Sequence, residues 1–143
     1  MGFSLVAATA IIGVSILIAI EMMIGATIPT LTNVYDAYDE MRDRSIDQLQ
    51  TDINITSVTT TANGANFDLN FTVKNTGSIT LKTNYFNVLV NGTSHSFTSE
   101  KTYLYPEGQI WFNVTNLAGG AASHRLKVVT DNGISDYKGF ITT

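Results

Sequence analysis

The chain begins with an uncharged apolar run from Gly2 to Ile20, with no Lys or Arg before it. As a helix rising about 1.5 Å per residue, this run spans roughly 28 Å, close to the ~30 Å hydrocarbon core of a bilayer. Met22, Met23 and Ile24 extend it past a solitary carboxylate at Glu21. Such a segment needs dry surroundings, either lipid or the matching helices of sister subunits, and composition does not separate the two. A cleaved secretory signal fits less well, because such signals carry a charged n-region and an apolar stretch of about 7–15 residues. The nearest approach to a cleavage site, Ala7-Ala8-Thr9-Ala10, lies inside the run. The expectation is a single membrane-spanning helix over residues 1–28, with Glu21 either at the interface or paired with a neighbouring helix. A carboxylate is costly at the bilayer centre (at least ~2–3 kcal/mol) and much less so at its edge.

Pro29 lacks a backbone donor and its ring crowds the preceding turn, so an interruption is expected at Thr27-Ile28-Pro29. Beyond it, Leu31, Val34, Tyr38 and Met41 recur at helical spacing, and Ile46, Leu49 and Ile53 continue the stripe after a one-residue drift. Asp36, Asp39, Glu40, Asp43 and Asp47 occupy the other side. Residues 29–50 therefore read as an amphipathic stalk, whose acidic side is most simply a solvated face.

After Thr51 the period changes from helical to alternating. Phe67, Leu69, Phe71 and Val73 alternate with polar residues, as a half-buried strand requires. Asn75-Thr76-Gly77-Ser78 is turn chemistry, Tyr85–Val90 reads as a strand, and Asn91-Gly92 is a strong hairpin signal. Pro106-Glu107-Gly108 turns into a strand over Gln109–Val114, and Gly119-Gly120 makes a break. His124–Thr130 and Ile134–Ile141, joined at Asp131-Asn132-Gly133, form a last hairpin. Seven or eight short strands with these turn signals predict a mainly β domain over residues 51–143, an antiparallel β-sandwich.

Chemistry is sparse. Cysteine is absent, which removes thiol chemistry and Cys-based zinc. His95 and His124 lie in strand-like segments without acids at ligand spacing, and read as surface or strand-edge residues. No Gly-x-Ser-x-Gly elbow is present. The expectation is a protein that is not an enzyme, with no catalytic residue, no metal and no cofactor. A net charge of −4 without a basic cluster disfavours nucleic acid. Tyr103, Tyr105 and Trp111 flank the Pro106 turn and are expected to pack in the core and its rim, with an exposed contact patch as the alternative. Four N-glycosylation sequons, at Asn54, Asn70, Asn91 and Asn113, fall within sixty residues and favour an exported C-terminal domain.

Several segments together carry a resemblance. They are the opening Met-Gly-Phe-Ser before an apolar helix, the stalk ending in Gln48–Thr56, Phe71–Ser78, Leu104–Gly108 and Lys127–Asp136. In this order they resemble the archaellum protein F family (FlaF, or ArlF), across essentially the whole chain. The resemblance implies a type IV pilin-like N-terminal helix and an immunoglobulin-like sandwich between the membrane and the surface layer. It further implies a static, stator-like part of the archaeal rotary motor that grips the S-layer protein and archaellum protein G. Filament prepilins carry a Lys/Arg-Gly-type site before the apolar run, and none stands here, so retention of Met1 is expected. The expected setting is a single-pass cell-membrane protein with its C-terminal domain in the pseudoperiplasmic space; homo-oligomerisation is left open. A structural filament subunit, archaellin or adhesive pilin, shares the same plan and is the alternative.

Overall fold

The computed structural model describes residues 2–119 and 122–142. Met1 and Gly120, which figure in the sequence reading, lie outside the described residues. The chain divides into two compact units, residues 1–43 and 44–143.

The first unit is most of a single helix, α1 (Gly2–Gln50), of 49 residues. It is long and apolar enough to cross a membrane by length and composition, and no residue of it is buried. Contrary to the expected interruption, α1 is continuous through Pro29. A proline removes one ladder bond and presses on the carbonyl four residues back, here that of Gly25, where no side chain resists adjustment. Thr27, Thr30 and Thr32 donate their hydroxyls to the carbonyls of Met23, Ala26 and Ile28 at 2.6, 2.9 and 3.1 Å, tying the turns around the proline together.

The second unit is an antiparallel β-sandwich. One sheet has the order β1 (Ile53–Asn63), β2 (Asn66–Asn75), β8 (Gln109–Ala118), β6 (Thr98–Ser99). The facing sheet has the order β10 (Ser135–Ile141), β9 (Ser123–Val129), β4 (Asn87–Val90), β5 (Thr93–His95). A two-stranded ribbon of β3 (Leu81–Lys82) and β7 (Tyr103–Leu104) completes it. Alternation places one row of each strand inside: Leu69, Phe71 and Val73 from β2, Phe112 and Val114 from β8, Val88 from β4, and Leu126 and Val128 from β9 are essentially inaccessible. Phe112 is the hub, with the rings of Phe71, Phe97 and Phe86 centred 5.3, 5.6 and 5.8 Å away.

Three readings of the strands need correction. β1 was not anticipated, and Ile53 belongs to its buried face rather than to a helical stripe. Ile46 and Leu49 do lie on α1, and only the place of Ile53 in that spacing is coincidental, because the chain leaves the helix at Gln50. The strand expected from Tyr85 starts at Asn87, preceded by a 3-10 turn at Thr83–Tyr85. Two- and three-residue ladders bring the total to ten strands among the described residues, and segments this short have too little alternation to be read. The hairpin at Asn91-Gly92 does form, with φ of 52° and 86° at the two turn residues and Val90 opposite Thr93.

The helix end is built into this unit. Gln48 Nε2 donates to the Asn132 carbonyl at 3.0 Å, and Asn132 Nδ2 donates to the Asp47 carbonyl at 3.3 Å and to Thr51 Oγ1. On the other side, Thr76 and Gly77 both donate their amides to the Asp52 carbonyl, and Ser78 donates to that of Gln50. Carbonyls that a helix terminus leaves without intrahelical partners are thus taken up by two sheet turns. Gly77 is required in this socket, since a Cβ there would collide with the Gln50 carbonyl and the Asp52 amide. Asn75, wholly buried, holds the turn by donating to the Ile79 and Leu104 carbonyls while accepting from the Gly77 amide.

Candidate partner surfaces

The residues singled out in the sequence divide sharply by surroundings. Glu21 is exposed on α1. Among the described residues, no group of three His, Asp or Glu converges as metal ligands would. His95 sits half-buried on the edge strand β5. His124 corrects the expectation of a surface residue. Its ring lies between Phe67 and Phe140, with centroids 5.1 and 5.3 Å away, and it is 8% exposed. Burial is tolerated because both ring nitrogens are satisfied. Asn91 Nδ2, which can only donate, meets Nδ1 at 2.9 Å, so the neutral ring carries its proton on Nε2, 3.2 Å from Thr142 Oγ1.

The aromatic residues around the Pro106 turn also depart from the expected core packing. Tyr103, Tyr105 and Trp111 are 46, 62 and 49% exposed. They sit on β7, on the following turn and on β8. Trp111 faces outward because its neighbours Ile110 and Phe112 take the two inward positions. Tyr85 adds a further exposed ring, with the Lys82 ammonium 5.9 Å from its centroid.

A surface not anticipated from the sequence is the outer face of the β10-β9-β4-β5 sheet. Arg125 and Lys127, two apart on β9, flank Tyr137 on β10, their charged groups 4.6 and 4.9 Å from its ring centroid. Lys127, with help from Arg125, holds the Tyr137 phenol below the usual tyrosine range. Leu89, Asn91 and Gly92 close a groove of about 260 Å³ beside them. Among the described residues, two cations and no carboxylate line this groove, although the whole chain is acidic. Only the strand register brings Tyr137 opposite Lys127. The alternation of Arg125, Lys127 and Val129 with buried residues was the one available sequence signal.

The four sequon asparagines are distributed unevenly. Asn54 lies exposed on β1. Asn70 and Asn113 are half-buried register partners on β2 and β8, and Asn113 Nδ2 donates to Asn70 Oδ1 at 2.7 Å. Asn91 is locked at the β4–β5 turn, with Nδ2 on His124 and Oδ1 accepting from the Arg125 amide at 2.9 Å.

The architecture defined by these features is that of a long apolar N-terminal helix carrying an immunoglobulin-like β-sandwich. Solved structures share all or part of it. The archaellum periplasmic stator protein FlaG of Sulfolobus acidocaldarius is 18% identical with a TM-score of 0.51, over 63% of this chain and 99% of FlaG. A chain of the FlaF–FlaG stator complex from the same organism is 18% identical with a TM-score of 0.50, over 62% of this chain and 87% of that one. The archaeal flagellum of Methanospirillum hungatei strain JF1 is 14% identical with a TM-score of 0.71, over 92% of this chain and 89% of its subunit. By sequence, an uncharacterized protein of Archaeoglobus fulgidus is 29% identical over 133 residues, 89% of this chain and 80% of that protein. No family model matches. At these identities the structural likeness establishes the fold alone; the flagellum subunit shares it over 92% of the chain, helix included, and the two stator-protein chains share less than two thirds of it.

Proposed function

We propose that the chain is a non-enzymatic, membrane-anchored component of an archaellum, held in the bilayer by the apolar part of α1 with its β-sandwich on the outside. Its role is stator-like: the sandwich contacts the S-layer and companion archaellum proteins, while the helix fixes the other end. The observation that carries this reading is the likeness to the stator protein FlaG, which takes in 63% of this chain and 99% of that one. The physical arrangement supports it, since a static element must pass load from helix to sheet, and the last helical turn is bonded into two sheet turns. Exposed Trp111, Tyr103 and Tyr105 supply contact residues of the kind enriched at protein interfaces.

A second reading, a filament subunit, is favoured by one specific observation: the likeness to the M. hungatei flagellum extends over 92% of the chain, helix included. The experiment separates the two. The epitope-tagged full chain is followed through shearing of filaments from cells, membrane isolation and capture of cross-linked partners. Recovery in membranes at low copy with S-layer protein attached supports the stator-like role. Recovery chiefly in sheared filaments supports the subunit reading, and recovery in neither fraction overturns both.

A further inference from the structure

We propose that Asn54 is the glycan-bearing asparagine of this chain, selected over the other three sequons by the folded β-sandwich. The inference rests on export of the sandwich, part of the reading above. Sequon counting treats Asn54, Asn70, Asn91 and Asn113 alike; the structure does not. To be modified, an asparagine must present a free carboxamide that can be rotated and approached. The donor class is a polyprenyl-phosphate-linked sugar. The bond from sugar C1 to the lipid phosphate oxygen breaks, and the lipid phosphate leaves with its electron pair. A bond from C1 to the asparagine Nδ2 forms, and one amide proton passes to a base.

Asn91 cannot present its carboxamide without loss. Its nitrogen faces the buried His124 ring at 2.9 Å and its oxygen holds the Arg125 amide at 2.9 Å. Withdrawing it strips His124, itself walled by Phe67 and Phe140, of one of its two polar partners. Asn113 is committed to Asn70 at 2.7 Å in the middle strands of a four-stranded sheet, and both are half-buried. Asn54 differs on each count. It is exposed, it lies on the edge strand β1, and among the described residues its side chain makes no hydrogen bond. The +2 residue of its sequon, Thr56, is exposed as well.

The test is site-resolved glycopeptide mass spectrometry on the full chain purified from native archaeal membranes, alongside Thr56→Ala and Thr93→Ala variants. These remove the Asn54 and Asn91 sequons and leave both asparagines and their contacts in place. Glycan on Asn54 in most molecules, with Asn91 bare, is the expected result. Thr56→Ala should then abolish the main glycosylated species, and Thr93→Ala should leave it unchanged. An unmodified Asn54 overturns the proposal, whether the other sites are occupied or bare. Labelling of intact cells with a membrane-impermeant amine reagent reads export separately. A labelled chain with bare Asn54 defeats this inference alone, and an unlabelled chain defeats the export reading as well.

Discussion

Residues 2–43 and residues 44–142 solve the problem of stability in opposite ways. The helical part buries nothing of its own, and the hydroxyls of Thr9, Ser15, Thr27, Thr30 and Thr32 turn back on carbonyls within one turn. It satisfies its polar groups locally and leaves its apolar surface to be covered from outside, which suits lipid or sister helices. The sandwich satisfies itself through pairings remote in sequence, with a shared core and two turns closing the helix end. The division falls at Asp43/Arg44 rather than at the end of α1, so the last helical turns belong mechanically to the sheet.

The largest blow to this division of labour is Phe112→Ala. Removing the ring around which Phe71, Phe86 and Phe97 pack should cost about 3–5 kcal/mol, a large share of what a domain this size possesses. Thermal unfolding followed by Trp111 fluorescence should shift strongly downward. Extraction of the chain from membranes should stay unchanged, because the helical part draws nothing from that core. Loss of membrane retention in the same variant would break the comparison.

Gly77→Ala tests the socket. A methyl group there meets backbone on two sides, and neither side can swing away, so about 1–3 kcal/mol of destabilisation is expected from displacing the helix end. Gly139→Ala, with open space around its Cβ, is the control and should change stability by less than about 0.5 kcal/mol. Equal effects would show that the turn yields without strain. Asn132→Ala follows at about 1 kcal/mol, through loss of its bonds to the Asp47 carbonyl and Thr51. Hydrogen exchange should then rise at Gln48 to Asp52 and stay unchanged in β2.

How far the sequence carried the interpretation follows the same boundary. Local patterns were legible: the apolar run of α1, the alternation of β2 and β8, and the Asn91-Gly92 turn, each set by period or by backbone chemistry within a few residues. What was missed depended on tertiary context. Pro29 reads as a breaker locally, yet the helix accommodates it. Ile53 fits a helical stripe by spacing and is claimed by the core. His124 looks polar and solvent-bound until Asn91 and Thr142 are brought to its two nitrogens. The Arg125–Tyr137–Lys127 face exists only through the β9–β10 register, which no single segment encodes. The candidate partner surfaces were therefore the least legible part, because contact residues are chosen by which face of a strand remains outside.

The smallest expected effect lies at the tip of the sandwich, opposite the socket, and it sharpens the comparison within the β unit itself. A register shift between Phe67 and Leu69 leaves one extra residue on β8, and Asn116 there adopts a left-handed φ of 60°. A bulge of this kind needs its displaced amide satisfied. Asp68 Oδ1 does so, accepting from the Asn116 amide at 2.8 Å and from Asn63 Nδ2 at 3.1 Å. The Asn116 bond first, and the Asn63 bond second, hold the Asp68 carboxyl below its ordinary value of 3.8. With the folded value depressed, the unfolded chain binds the proton more readily. The contribution is therefore complete above the ordinary carboxylate range and fades as pH falls through 3.8 toward the folded value. Asp68→Asn keeps an acceptor oxygen and removes the charge. Its stability deficit against the parent chain should be small near neutrality and should shrink as pH drops below 3.8 in denaturant titrations. A deficit that stays constant across that window would mean that the tip is held by shape alone, as the socket is at Gly77, and not by charge.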